Sequence, residues 1–425
     1  MFKLSPHIDL DPSPTLGINE RVRELWEADK TVYHFGFGES RFPVHPLLQR
    51  ALSENAHRKS YLPVQGLAPL REAVAAYYGA KLGITASPKQ VMISPGSKAM
   101  LFAIQMALDA DLLLPTPSWV SYAPQAQMLG QHVYQIPATA VSDYQLTIPA
   151  LTETVAKADD GQKLLIINTP SNPTGAMLSA EFLQKLADFC RQHQIFVISD
   201  EIYGFVPHGS RPHVSLAQFY PEGTAVLGGL SKHLSLGGWR LGHAILPATA
   251  PELMQAVIKI GSEIWSSPSA PVQYAAITAY ENNPEIEAYI ADCAAIHAAR
   301  TKHLWSWFQE LGIRCTQPEG GFYLTPNFDR WREPLAAKGV TTSTELATYL
   351  LENHRIATLP AAVFGVPPTE LSLRVATNYI DMEDDAAANK LLNHWQAHRD
   401  AAKLMQQHPQ MDAAVDQLKQ FVTTL

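Results

Sequence analysis

Short runs of consecutive apolar residues recur along this chain, each followed by a polar or glycine-rich turn and then by a stretch with helical spacing. Val91-Met92-Ile93 leads into Ser94-Pro95-Gly96-Ser97 and a periodic apolar segment over 99–108. Leu164-Leu165-Ile166-Ile167 leads into Asn168-Thr169-Pro170-Ser171-Asn172-Pro173, and Ile195-Phe196-Val197-Ile198 into Ser199-Asp200-Glu201. Ala225-Val226-Leu227 precedes a glycine-rich turn and then Ser231-Lys232. Continuous rather than alternating apolar runs mark strands buried on both faces, and their alternation with helices predicts an α/β fold with a mostly parallel sheet flanked by helices. Ligands of such sheets bind outside the carboxyl ends of the strands. The polar residues that close each run therefore stand where a site would form.

The pattern changes near residue 285. A long helical stretch from Ile286 to about Gly312 is followed by strand-like Gly320-Gly321-Phe322-Tyr323-Leu324 and Ser372-Leu373-Arg374-Val375. This reads as a smaller α+β unit, with the N-terminal stretch packing against it. The expected division is a large domain over 47–285 and a small domain from 1–46 and 286–425. Leu404, Met411, Val415, Leu418, Phe421 and Val422 keep helical spacing, predicting an extra amphipathic C-terminal helix over about 401–425.

Composition narrows the function. A chain of 425 residues with 46% hydrophobic and 17% charged residues suits a globular protein with more than one core. The net charge of -8 offers no basic field for nucleic acid or an anionic membrane. No apolar run reaches membrane-spanning length and the opening residues lack a signal core, so the expectation is a cytoplasmic protein. Cys190, Cys293 and Cys315 are far apart and the histidines are scattered, which argues against disulfides and against a metal site.

The chemistry centres on Gly229-Leu230-Ser231-Lys232-His233-Leu234-Ser235-Leu236-Gly237-Gly238-Trp239-Arg240-Leu241-Gly242. A lysine in near-apolar surroundings is tuned toward the neutral amine that an imine-forming nucleophile requires, and Arg240 adds a fixed cation suited to phosphate. This stretch resembles, position by position, the cofactor-attachment signature of the class I/II aminotransferases, the pyridoxal-phosphate (PLP) enzymes of fold type I. The similarity extends from about Pro14 to Trp395.

The resemblance implies a role for each matching residue. Lys232 would carry PLP as a Schiff base, and Asp200 would pair with the pyridine nitrogen, keeping it protonated so that the ring accepts electrons. Tyr203 and Asn172 would bond the ring oxygen, Trp119 would stack on the ring, and Gly96, Ser97, Lys98, Ser231 and Arg240 would surround the phosphate. Tyr61 would reach the phosphate of the neighbouring subunit, which implies a homodimer. Arg374 would grip the substrate α-carboxylate, with Gly38 and Asn172 close by, and Lys98 would select a distal carboxylate. Three positions depart from the family pattern: Ser40-Arg41 after Gly38-Glu39, Gly229 in place of serine, and Ala361 after Pro360. The implied activity is amino transfer between an L-amino acid, aspartate or glutamate, and a 2-oxo acid such as 2-oxoglutarate. A PLP-dependent β-lyase and a non-catalytic ligand sensor on the same fold are the alternatives.

Overall fold

The computed structural model describes residues 14–425. Seven strands form one sheet in the order Val91–Ser94, Gly242–Ile245, Thr224–Gly229, Phe196–Asp200, Lys163–Asn168, Asp111–Thr116, Val133–Pro137. Only Gly242–Ile245 runs antiparallel to its neighbours. The strands carry the uninterrupted apolar runs of the sequence, and three large side-chain clusters bury them. The mostly parallel α/β architecture is the one that these runs predicted.

Register sets where the chemistry gathers. Asn168 pairs with Asp200, and Asp200 with Leu227, so strand ends carrying polar residues are level with one another. Gly242 pairs with both Gly229 and Ser94, which brings the antiparallel strand's start to the same edge.

Beyond the sheet, the 27-residue helix Pro284–Glu310 begins with Asn283, whose side chain accepts from the Glu285 N–H. At 1.5 Å per residue it is about 40 Å long. Its first turns enter the core beside the sheet through Ile286 and Tyr289, and its last turns enter a second core through Leu304 and Phe308. That second core contains short paired strands. Tyr33–His34 runs parallel to Ile356–Ala357, while Leu373–Ala376 lies antiparallel between Tyr323–Leu324 and Leu359–Pro360.

Two local expectations are corrected. The strand expected over 320–324 is only Tyr323–Leu324, because Gly321 turns the chain with φ +68. The single helix expected over about 401–425 is two, Ala401–Met405 and Pro409–Thr423. Proline lacks the N–H that would continue the helix, so the break falls just before Pro409, at His408, which is buried.

Candidate active site

A cavity of about 420 Å³ opens at the carboxyl edge of the sheet, between it and the Arg374 strand. Every residue to which the resemblance gives a role lines it except two. Gly96 lies immediately behind the wall, against Arg240. Tyr61 lies outside, 91% exposed.

Lys232 follows the strand Thr224–Gly229 and opens onto the cavity. Its Nζ donates to the Gly38 carbonyl at 2.6 Å. Burial pushes the amine down to about 8, with Arg374 adding to the effect and Glu39 opposing it. Asp200 ends its strand buried beneath the cavity. Tyr122 donates to its Oδ2 at 2.8 Å and the Ile202 N–H to its Oδ1 at 3.2 Å. Burial raises the carboxyl to about 6 in spite of these donors. Lys232 and Asp200 thus share one cavity, each drawn toward its neutral form by the same low-dielectric surroundings.

One wall is a hydroxyl pair. Tyr203 and Tyr323 share a hydrogen bond of 2.8 Å, and burial holds both phenols above their ordinary range. Next to them Arg374, 3% exposed, donates from Nη2 to the Gly36 carbonyl, lies 5.1 Å from the Tyr323 ring, and leaves Nε without a partner among the described residues. Leaving a buried guanidinium incompletely paired is costly, so this corner suits an incoming anion. Val120, Leu359 and Phe364 supply the apolar lining nearby.

The opposite corner is built from close backbone contacts. Gly96 (φ +87) precedes the helix Ser97–Ala107 and offers no side-chain cap, which leaves the first N–H groups of the helix for another acceptor. A Cβ at Gly96 would lie 2.4 Å from Arg240 Nη2, and one at Gly242 2.3 Å from the Ser97 nitrogen. Only bare backbone brings the guanidinium and the helix start this close together. Backbone donors, a helix dipole and an arginine converging on one point make an anion cradle.

The family described as "Aminotransferase class I and II" matches residues 31–391. The chain belongs to that family. This aminotransferase is 33% identical to the aspartate aminotransferase of Geobacillus stearothermophilus, over 86% of this chain and 93% of the relative. It is 32% identical to a probable aspartate/prephenate aminotransferase of Aquifex aeolicus, over 84% and 90%. Among solved structures, aspartate aminotransferase from Thermus thermophilus with maleate superposes with a TM-score of 0.80 at 25% identity, covering 92% of this chain and 98% of that one. Membership makes the protein a PLP-dependent transaminase acting on amino and 2-oxo acids. Among its described residues no helix is long and apolar enough to cross a membrane.

Sequence reasoning missed several of the cavity's groups. Tyr122 is the side-chain donor to Asp200, and Tyr323 pairs with Tyr203 and covers Arg374. The available signal was position: Tyr122 falls three residues after Trp119, and Tyr323 inside a run already assigned as a strand. Arg41, left without a role, is not part of the cavity lining. It donates to the Glu383 carbonyl at 2.6 Å and lies 5.3 Å from the Tyr379 ring.

Proposed function

We propose that this aminotransferase moves the amino group of a dicarboxylic L-amino acid, aspartate or glutamate, to a 2-oxo acid such as 2-oxoglutarate. The observation that carries the substrate class is a pair of basic groups left over in one cavity: Lys232 and Arg240 are taken up by the cofactor in this reading, while Lys98 and Arg374 also line the cavity and, among the described residues, have no carboxylate within ion-pair distance. Lys98 Nζ sits 4.8 Å from the Trp119 ring. Two unmatched cations call for two carboxylates, and a monocarboxylic amino acid has one. The names of the relatives agree, since aspartate and maleate are both four-carbon dicarboxylates.

The residues present fit PLP. Gly96, Ser97 and Arg240 form a cradle that a single Cβ would fill, and Ser231 stands beside it in the cavity wall. Asp200 faces the cavity as a buried carboxyl able to pair with a ring nitrogen. Asn172 has a buried amide oxygen without a partner, and its amide and the Tyr203 hydroxyl can bond a ring oxygen. When bound, PLP supplies a carbonyl carbon that an amine can hold covalently and a protonated ring that draws electrons from the substrate Cα.

The protein's own groups do the rest. Arg374 fixes the α-carboxylate through two parallel N–H donors, which orients the Cα–H bond. Lys232, as the neutral amine, takes that proton and returns it. In the cofactor-free protein the Gly38 carbonyl holds that amine at the cavity wall. The apolar wall excludes water from the carbon that exchanges its proton.

The active unit in this reading is a homodimer in the cytoplasm. Tyr61 lies outside the lining of its own cavity with 91% of its surface exposed, as a residue serving a neighbour would. The three cysteines are buried free thiols, which suits a reducing compartment.

A substrate panel tests the proposal. With 2-oxoglutarate as acceptor, kcat/KM for aspartate should exceed that for alanine and phenylalanine by at least about tenfold, and Lys98→Met should erase most of that preference. Equal values for the three donors would dismiss the dicarboxylate reading. Release of about one 2-oxo acid per site before any acceptor is added separates transfer from β-elimination.

A further inference from the structure

The family match ends at residue 391, and the helices Ala401–Met405 and Pro409–Thr423 lie beyond it. They are not loosely attached. Met411, Val415, Leu418 and Phe421 are buried in the core that also holds Phe35 and Leu373. Their junction is polar and buried. Arg300, in the middle of the long helix, is fully buried, and its Nη1 donates to His408 Nε2 at 2.8 Å. The Nδ1 of His408 lies 2.9 Å from the Leu404 carbonyl. His408 is therefore neutral, with its proton on Nδ1 and its lone pair on the arginine. Asp381 completes the junction by accepting from the Gln410 and Met411 N–H groups at 3.0 Å each, which caps the last helix.

The same arginine holds a second object. Its Nε and Nη2 donate to the Thr377 carbonyl at 3.1 and 2.7 Å, and Nη2 also donates to the Ile380 carbonyl. Segment 377–383 in turn grips the entry loop 36–41. Asn378 donates to the Glu39 carbonyl, Arg41 to the Glu383 carbonyl, and Phe37 packs 4.9 Å from the Tyr379 ring. The entry loop presents the Gly36 carbonyl to Arg374 and the Gly38 carbonyl to Lys232. Hydrogen bonds, joined by the backbone of these two segments, thus link the C-terminal helices to Arg374 and Lys232 at the centre of the site.

We propose that Arg300 and His408 are positioning residues for the amino-acid substrate: through segment 377–383 they fix the entry loop whose carbonyls aim Arg374 and Lys232. Residues 401–425 then serve the reaction as a brace. This rests on the reading of Arg374 as the carboxylate anchor, and it adds the group that keeps the anchor aimed.

The test uses PLP-loaded enzyme carrying His408→Leu, His408→Gln, Arg41→Met, and His408→Leu with Arg41→Met. Leucine removes the acceptor for Arg300, while glutamine offers an amide oxygen near the place of Nε2. His408→Leu should raise KM for aspartate about tenfold, the usual scale for one hydrogen bond to a charged group, with kcat changed less than about threefold. Hydrogen exchange at residues 36–41 should quicken. His408→Gln should restore both, and Arg41→Met should reproduce both, with the double variant little worse than either single one. A His408→Leu enzyme with lowered Tm but wild-type KM and wild-type exchange at 36–41 would overturn the proposal, as would fully additive effects in the double variant. If His408→Leu does not fold, Arg41→Met, half-buried at the surface, decides alone, and an unchanged KM there is fatal. Arg374→Met separates the two readings. If it too leaves KM unchanged, the anchor is misassigned; if it raises KM and His408→Leu does not, the brace is refuted.

Discussion

Arg300 and Arg374 are both buried in the half of the molecule built around the second core, and they are provided for in opposite ways. Around Arg300 every nitrogen has an acceptor: two backbone carbonyls and the His408 ring. Burial pulls its guanidinium down to about 10 against Asp381 and Glu383, which still leaves it charged at neutral pH. Around Arg374 the supply is short, with one carbonyl, two aromatic rings and an unpartnered Nε. Burial is equal, so burial is not what marks a functional cation. The mark is an unmet hydrogen-bonding demand facing a cavity. One region spends its polar groups on holding the chain, and the other keeps them for a ligand.

The contrast can be broken at several points. Lys232→Ala should lower turnover by roughly four orders of magnitude or more while leaving Tm near the wild-type value, because the amine holds only one carbonyl. An activity loss of less than tenfold would remove Lys232 from the reaction. Arg374→Met and Arg300→Met should then part company. The first should cut kcat/KM by roughly 10²–10³ with little change in stability. The second should destabilise the fold by about 3 kcal/mol, as its carbonyls and His408 lose their donor, and raise KM only about tenfold. Urea unfolding beside steady-state kinetics reads both, and a reversed pattern would overturn the distinction.

Asp200 sharpens it further. Its folded-state pKa is raised from 3.8 to about 6, so it favours the folded state below about pH 4, and that contribution is lost as pH rises through about 6. In cofactor-free protein at neutral pH, Asp200→Asn should therefore be more stable than wild type, by up to about 3 kcal/mol. The gain should vanish near pH 4, and Tm against pH for both proteins checks it. The smallest effect concerns Lys232. Since its amine is lowered to about 8, the rate at which cofactor-free protein captures PLP should climb with pH through about 8, not through 10.5. Stopped-flow absorbance at several pH values would show it.

What the sequence disclosed followed from how tightly chemistry constrains a residue. Lys232, Asp200, Asn172 and Arg374 each need one functional group at one spacing, so their motifs survive as readable text. The parallel sheet was readable because its strands are apolar on both faces. Tyr122 and Tyr323 escaped because a buried tyrosine is equally at home in a core, and only the third dimension shows what its hydroxyl touches. The pairing of Tyr33–His34 with Ile356–Ala357 joins residues more than 300 positions apart, and no local pattern encodes it. The break before Pro409 was visible in principle, but periodic apolar residues on both sides of the proline hid it. Arg300 gave no signal because its partners are mostly backbone carbonyls, which every residue possesses.

The anion cradle also divides the cavity for anyone who wants to redesign it. At positions 96 and 242 even a methyl group would strike the Arg240 guanidinium or the Ser97 amide, so a mutant library gains nothing by sampling them. Val120 comes from one segment, Leu359 and Phe364 from another, and together they form the apolar wall. Diversity at Val120 can reshape the space for a substrate side chain, whereas Phe364, whose ring lies 5.6 Å from the Arg374 guanidinium, and Leu359, the strand partner of Arg374, are best kept.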